Sequence, residues 1–514
     1  MPACASVSRL AASSTSASPS ATPTVPAGLA YDCLTSIPFN SSAAVALMDS
    51  IRPYLDWQTT IQYIEEPPQE YAEKVQPPYD FYADYERIYS SAQSGSYASE
   101  YDFGFDLYRS FQMTHDGHFV FIPDSVGLIF TFGRTEPLVS VSTDGVSVPE
   151  VYVYGDVLAA SFDNTTFTPS PLTLIDGENS TEWLLDYSQY GSLQDRDALW
   201  NNMFYLLAQV QLGPSGTGAG TFTGGGRGRW VYPGPTTTLT FANGTEVVLE
   251  NFARVLVPFD NITTGSDVYR SYFIPPVEPA DAEEIATATV TSSSATMVST
   301  TSSATTSSTP IPAPGYPTPL VRQMNNLNSG YFLEGEDYDD VAVLAVPNFV
   351  GSSDDALPFQ SVNTYLIDQA VAQNKTKLII DVSANGGGTI LQGYDLFRQL
   401  FPQILPDGFT RFRAHEAFDL IGGEISRFAG QFPREAALDN DTLAGYLNSA
   451  FNYRTDVNID YENFESWDEK FGPFEYGPWP DNYTSIIRWN ISDGERFSAT
   501  RRCHRGCMLM PFAK

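Results

Sequence analysis

The sequence predicts a multidomain α/β protein of α+β arrangement: an N-terminal helical region, a β-rich domain, then a core built on a βαβ unit. Three observations carry this. Apolar residues recur at helical spacing before residue 124. Alternating segments broken by Asp-Gly and Asn-Gly turns fill roughly 125–275. After a Ser/Thr/Pro tract, two apolar segments flank a helical one. The 514 residues suffice for about three domains.

Residues 1–35 form a Ser/Ala/Pro-rich segment. It lacks the apolar stretch of a signal peptide, so the natural start is expected to lie upstream, in a signal sequence missing here. Cys4 and Cys33 flank the tract and can close a disulfide loop, which stabilises by about 3–4 kcal/mol on chain-entropy grounds. Residues 36–124 read as helical. Ser42 can cap a helix that puts Val45, Met48, Ile51 and Leu55 on one face, and Pro53 marks its end or a kink. A second helix aligns Phe103, Leu107 and Phe111 and stops at "HDG". "HFVFIP" then reads as a short strand, with Phe119 and Phe121 opposite Val120 and Ile122.

The β-rich domain spans 125–280, with turns at Thr143-Asp144-Gly145 and Asn243-Gly244. Its Gly-rich piece "GPSGTGAGTFTGGGRGR" matches no phosphate loop and reads as flexible. Residues 281–320 form a Ser/Thr/Pro linker that cannot bury a core. In the core, 321–500, "DVAVLAVPNF" and "KLIIDVSANGGG" read as buried strands. The helix between them aligns Phe359, Val362, Leu366 and Ala370, and the helix that follows aligns Ile390, Tyr394 and Phe397. Such a unit pairs its strands in parallel and places sites at the strand C-termini. Two strands are too few to close a sheet, so the core reads as truncated. Residues 501–514 depart in character: "RRCHRGCMLMPFAK" has no acidic residue. It is expected to come from a wrong reading frame or unspliced intron, with the true product running on.

Formal net charge is −34, from 61 acidic and 27 basic residues. Such a chain repels phosphate backbones, which excludes nucleic acid as a partner. No 18-residue apolar run exists, so no membrane span is expected. Asn-x-Ser/Thr sequons begin at Asn40, Asn164, Asn179, Asn243, Asn261, Asn374, Asn440, Asn482 and Asn490. Together they point to glycosylation and a secreted protein.

Two of the four histidines, His115 and His118, stand three apart in "MTHDGHFVFIPD". A metal pair, a catalytic base and a structural turn all fit that spacing. A metal would need a third ligand, and His415 and His504 offer no helpful context, even with Cys503 and Cys507 beside His504. The turn Asn385-Gly386-Gly387-Gly388 fits either an oxyanion-binding nest or plain tight packing. It is no dinucleotide fingerprint, because Leu391 stands where the third glycine would be.

An apolar strand, a crossover helix, and a strand carrying Asp381, Asn385, Gly387 and Gly388 resemble the core of the tail-specific (C-terminal-processing) serine peptidase family. The upstream "DGH" is similar to that family's Asp-x-His, and the order of parts resembles its secreted fungal branch over roughly 40–500. The resemblance implies a PDZ-like fold for the β domain, which would hold a peptide by strand addition. It implies His118 as general base and Gly386, Gly387 and Gly388 as oxyanion donors. It implies a peptide or protein substrate, such as the precursor of a ribosomal-peptide toxin, and neither metal nor cofactor. A homodimer is left open. The nucleophile is unknown: Ser426, Ser449, Ser466, Ser485, Ser492 and Ser498 follow no buried strand, and no acidic partner can be placed. A second reading is a catalytically silent, secreted peptide-binding protein that uses its PDZ-like domain.

Overall fold

The computed structural model describes residues 2–18, 20–162, 166–212, 218–274, 316–404, 406–434, 445 and 447–488. The sequons at Asn164, Asn440 and Asn490, the serines Ser492 and Ser498, most of the Ser/Thr/Pro tract and the tail from 501 lie outside them.

The first residues are helical. Helix α1 (Ala3–Ala17) buries Cys4, Val7 and Ala11. A short strand, β1 (Thr24–Pro26), leads to α2 (Ala27–Thr35). A disulfide joins Cys4 to Cys33. Helix α3 (Ser41–Leu55) starts at Asn40, whose side chain accepts from the Ala43 N–H, so the expected cap at Ser42 lies two residues too late. Asn40 caps because its extended backbone turns the side-chain oxygen toward the first free amides. The helix ends two residues after Pro53. With α4 (Phe81–Gln93) and α5 (Glu100–Gln112) it encloses Met48, Ile51, Leu55, Phe81, Tyr85, Phe103, Leu107 and Phe111.

The expected strand at "HFVFIP" does not form: residues 117–123 have no ladder partner. The alternation there has a different cause. Phe119 and Phe121 pack onto the helical core, whereas Ile122 packs onto the core built around α1 and α2. An extended chain between two hydrophobic clusters alternates just as a strand does.

The β region opens with β2 (Phe130–Gly133), followed by the hairpin β3 (Leu138–Val141) and β4 (Glu150–Val153). Strands β5 (Leu172–Ile175), β6 (Glu178–Asn179), β7 (Thr236–Phe241) and β8 (Glu246–Glu250) form a sheet of order β6-β5-β7-β8. The Asn243-Gly244 turn joins β7 to β8, with Gly244 at φ 83. Strand β9 (Phe252–Val255) lies between β1 and β2, so the N-terminal segment completes a sheet of this region. Within the Gly-rich piece, residues 218–229 are not a loose loop. Two 3-10 turns form there, because Gly225 and Gly228 let the backbone fold onto Ala219 and Thr221, whose oxygens would lie 1.7 and 2.3 Å from an added Cβ.

The core sheet has four strands rather than two, in the order β10 (Val321–Arg322), β11 (Ser329–Phe332), β12 (Val341–Ala345), β13 (Lys377–Asp381). Helix α6 (Ala356–Ala372) crosses from β12 to its parallel neighbour β13, paired from Val341↔Lys377 to Ala345↔Asp381. Strand β12 is buried as expected, but β13 is not: Ile379 is 49% exposed. Among the described residues no strand pairs with its outer edge. Helix α7 (Ile390–Leu400) follows the glycine turn.

Candidate active site

The His turn is built from the end of α5. Ser99 caps this helix, and its Phe103, Leu107 and Phe111 stripe fixes its rotation against α3 and α4. The helix stops because the backbone reverses at His115, a non-glycine residue at φ 52 whose N–H still reaches the Gln112 carbonyl. His115 is 3% exposed, and neither ring nitrogen has a hydrogen bond of good geometry. Burial pushes its pKa down to about 4, although the Gln189 side chain and the Leu193 backbone partly oppose this. His115 is therefore a neutral core residue facing the β region.

Asp116 sets the next step. Its Oδ1 accepts from the His118 N–H at 2.8 Å and the Phe119 N–H at 3.2 Å, while Oδ2 accepts from Gln58 Nε2 at 2.8 Å. An aspartate bonded to the amides two and three residues on closes an Asx turn. His118 leaves this turn exposed. It lies at one side of an apolar pocket of about 370 Å³ whose walls include Leu47, Ile51, Leu55, Phe111, Phe119 and Phe121.

Arg227, in the second 3-10 turn of the Gly-rich piece, reaches this turn from the β region. Its Nη2 donates to the Gly117 carbonyl at 2.7 Å and more weakly to that of Asp116 at 3.4 Å, and its Nη1 donates to Gln112 Oε1 at 3.0 Å. Arg227 is 8% exposed, and burial pulls its pKa below the usual guanidinium range against the pull of Tyr108 and Asp116. Among the described ion pairs none involves it. Burying a cation costs several kcal/mol, and here neutral acceptors offset that cost. Sequence reasoning missed Arg227; the signal was an arginine inside a glycine run, which was read as flexibility.

The glycine turn sits at the C-terminal end of β13. Asn385 Nδ2 donates to the Val346 carbonyl at 2.7 Å, tying the turn to the end of β12. Its Oδ1 accepts from the Gly387 N–H at 2.7 Å. Gly387 and Gly388 lie at φ 90 and 136. The Phe349 N–H donates to the Gly387 carbonyl, and the Thr389 N–H to the Phe349 carbonyl. Thus the Gly387 amide is taken up by Asn385, whereas no bond is described for the amides of Gly386 and Gly388. No glycine of this turn lines the pocket beside His118.

Ser426 is buried and donates its hydroxyl to the Phe451 carbonyl, and Ser466 caps the short helix Trp467–Phe471. Neither these two nor Ser449 and Ser485 line the His118 pocket. His415 begins the helix Glu416–Ala429 and packs edge-on against Trp57. Among the described residues no three His, Cys, Asp or Glu side chains gather as a metal site, and no helix is long and apolar enough to cross a membrane. Of the described sequon asparagines, Asn179, Asn243, Asn261, Asn374 and Asn482 are exposed. Asn40 is half-buried, its Nδ2 bonded to the Tyr269 hydroxyl.

The folded β region and the His turn leaning on it define a chain in which a β-rich module stands beside a histidine-bearing helical region. Residues 131–260 match the CPAF-like PDZ domain family. Over 415 residues the chain is 30% identical to the peptidase S41 family protein phomP1' of Diaporthe leptostromiformis, an overlap of 78% of this chain and 57% of that protein. A second protein of that organism, phomP1, is 29% identical over the same length. The peptidase S41 family protein ustP of Aspergillus flavus is 29% identical over 275 residues, covering 51% of this chain and 52% of that one. The chain is a homologue of these fungal peptidase S41 family proteins, and it spans somewhat more than half the length of the two Diaporthe proteins. No solved structure matches it.

Proposed function

We propose that the protein is a serine-type peptidase acting on secreted polypeptides, with His118 as its general base. The observation that carries this reading is the His turn. It holds an exposed imidazole beside an apolar pocket, on a backbone fixed by Asp116 and Arg227, in a chain homologous to peptidase S41 proteins. An imidazole there can take the proton of a serine hydroxyl and return it to the leaving amine. Gly386 and Gly388, whose amides have no described hydrogen bond, are the better oxyanion donors of the glycine turn. The finer proposal is that the substrate is a small peptide precursor, of the kind processed during ribosomal-peptide toxin formation. Secretion is part of the same proposal, supported by the Cys4–Cys33 disulfide and the exposed sequons. An endoglycosidase shift of the native protein tests it.

A fluorophosphonate probe tests the chemistry. Labelling of one serine, with His118→Ala cutting turnover by several orders of magnitude, is the expected result. Folded protein that never labels, yet binds peptides, supports the second reading of a silent peptide-binding protein. That reading is favoured by one observation: no serine following the glycine turn that is described lines the His118 pocket.

A further inference from the structure

We propose that Arg227 is a positioning residue for His118, so that the PDZ-type module completes the site of the general base. This rests on the reading of His118 as that base. The guanidinium is buried, lacks a described carboxylate partner, and points its donors at the backbone just before the histidine. One nitrogen holds the Gly117 carbonyl, one bond from the His118 amide, while the other holds Gln112 at the end of the helix. Asp116 fixes the His118 amide from the opposite side of the same peptide. The histidine backbone is thus pinned at its carbonyl neighbour and at its own N–H. The guanidinium reaches Gln112 and Gly117 from two separate nitrogens in a rigid plane, a spacing that the single nitrogen of an ammonium does not reproduce.

The loop is shaped for this delivery. Gly225 and Gly228, flanking Arg227 closely, sit against backbone oxygens where no Cβ fits. The Tyr108 hydroxyl, on the same helix as Gln112, donates to the Arg227 carbonyl at 3.4 Å. Arg227 lies within the 131–260 module, while its acceptors lie outside it. A displaced module therefore loosens the base without touching it.

The test compares wild-type protein with Arg227→Met, Arg227→Lys, Arg227→Ala and His118→Ala, reading peptide hydrolysis and the His118 imidazole Cε1–H resonance. Arg227→Met is expected to lower kcat about 100-fold, as a displacement of order 1 Å does, while KM stays within about twofold. In Arg227→Ala, whose short side chain leaves room for it, millimolar guanidinium ion should restore part of the lost kcat, a rescue that a merely structural defect would not show. Arg227→Lys should fall between, and it serves as the readable variant if Arg227→Met fails to fold. The His118 resonance should shift and broaden in Arg227→Met. If His118→Ala is inert but folded Arg227→Met keeps wild-type kcat, the positioning role is overturned while the base reading stands. If His118→Ala stays active, the base reading falls, and an unchanged His118 resonance in Arg227→Met overturns the clamp independently.

Discussion

Replacing the three glycines of the 386–388 turn by alanine, one at a time, should give three different outcomes. At Gly388 a Cβ would lie 2.2 Å from the Phe349 carbonyl carbon and 2.5 Å from both the Phe349 oxygen and the Val350 nitrogen. All three are backbone atoms, so no rotamer change relieves the overlap. The residue also sits at φ 136, a region that L side chains rarely adopt. Backbone strain of about 1–3 kcal/mol and overpacking of a further ~1–3 kcal/mol combine to roughly 2–6 kcal/mol. Relief requires breaking the bonds between Phe349 and residues 387 and 389. At Gly387, φ is 90 but nothing lies within 4 Å of an added Cβ, so only conformational strain of about 1–2 kcal/mol applies. At Gly386 there is open space and no positive φ, so the effect should stay within about 0.5 kcal/mol of zero. Hydrogen exchange across residues 377–390 reads the local opening free energy of each variant. Equal protection in Gly386→Ala and Gly388→Ala would show that Phe349 does not pack on this turn, and the reasoning would fail.

Two further outcomes follow from buried titratable groups. His115 has its folded pKa pushed down to about 4 from 6.5, so between those values the unfolded chain binds a proton that the folded chain refuses. Stability should therefore be intact above about pH 6.5 and be lost as pH falls toward 4, by about 3 kcal/mol. In His115→Gln, thermal melts should show a flatter profile across that window. Lys470 is fully buried, with Nζ 2.8 Å from Asp456 Oδ2 and 3.0 Å from the Asn452 carbonyl. Lys470→Met should cost about 3–5 kcal/mol by stranding the carboxylate. Adding Asp456→Leu should return most of that, as urea unfolding would show.

The sequence made the order of parts legible, because hydrophobic periodicity is a local property. The Phe103, Leu107, Phe111 stripe, the Asn243-Gly244 hairpin and the crossover from β12 to β13 all follow from it. What stayed hidden depends on partners far away in the chain. Strand β1 pairs with β9, more than 200 residues on, and α1 buries a face that its Ser- and Ala-rich composition does not advertise. Strands β10 and β11 are too short and too polar to stand out before β12 claims them. In the candidate site, His118 and the glycine turn are visible as residue types whose spacing suggests the proposed roles. The bond that occupies the Gly387 amide is not, because Asn385 reads from sequence only as a turn residue. Arg227 was invisible for the same reason, since its acceptors lie 110 and 115 residues away.

The two turns are held by unlike means, and this separates their failures. The His turn depends on side chains: the Asp116 carboxylate, the Gln58 amide and the Arg227 guanidinium. The glycine turn depends on backbone pairing with Phe349 and on one asparagine. They share no described hydrogen-bond partner. Arg227→Met should therefore lower exchange protection over residues 112–119 and leave 385–389 unchanged, and Gly388→Ala should do the reverse. In the double variant each turn should behave as in its single variant, within about 0.5 kcal/mol. Turnover should behave differently. If base and oxyanion donors serve one transition state, losing either already forfeits most of the concerted step, and the second loss adds less than its own single effect. Additive stability with non-additive turnover is the signature of two independently folded turns meeting only in the reaction. Coupled exchange protection would instead mean that they touch in the resting protein, and additive turnover would mean that they do not act on the same bond.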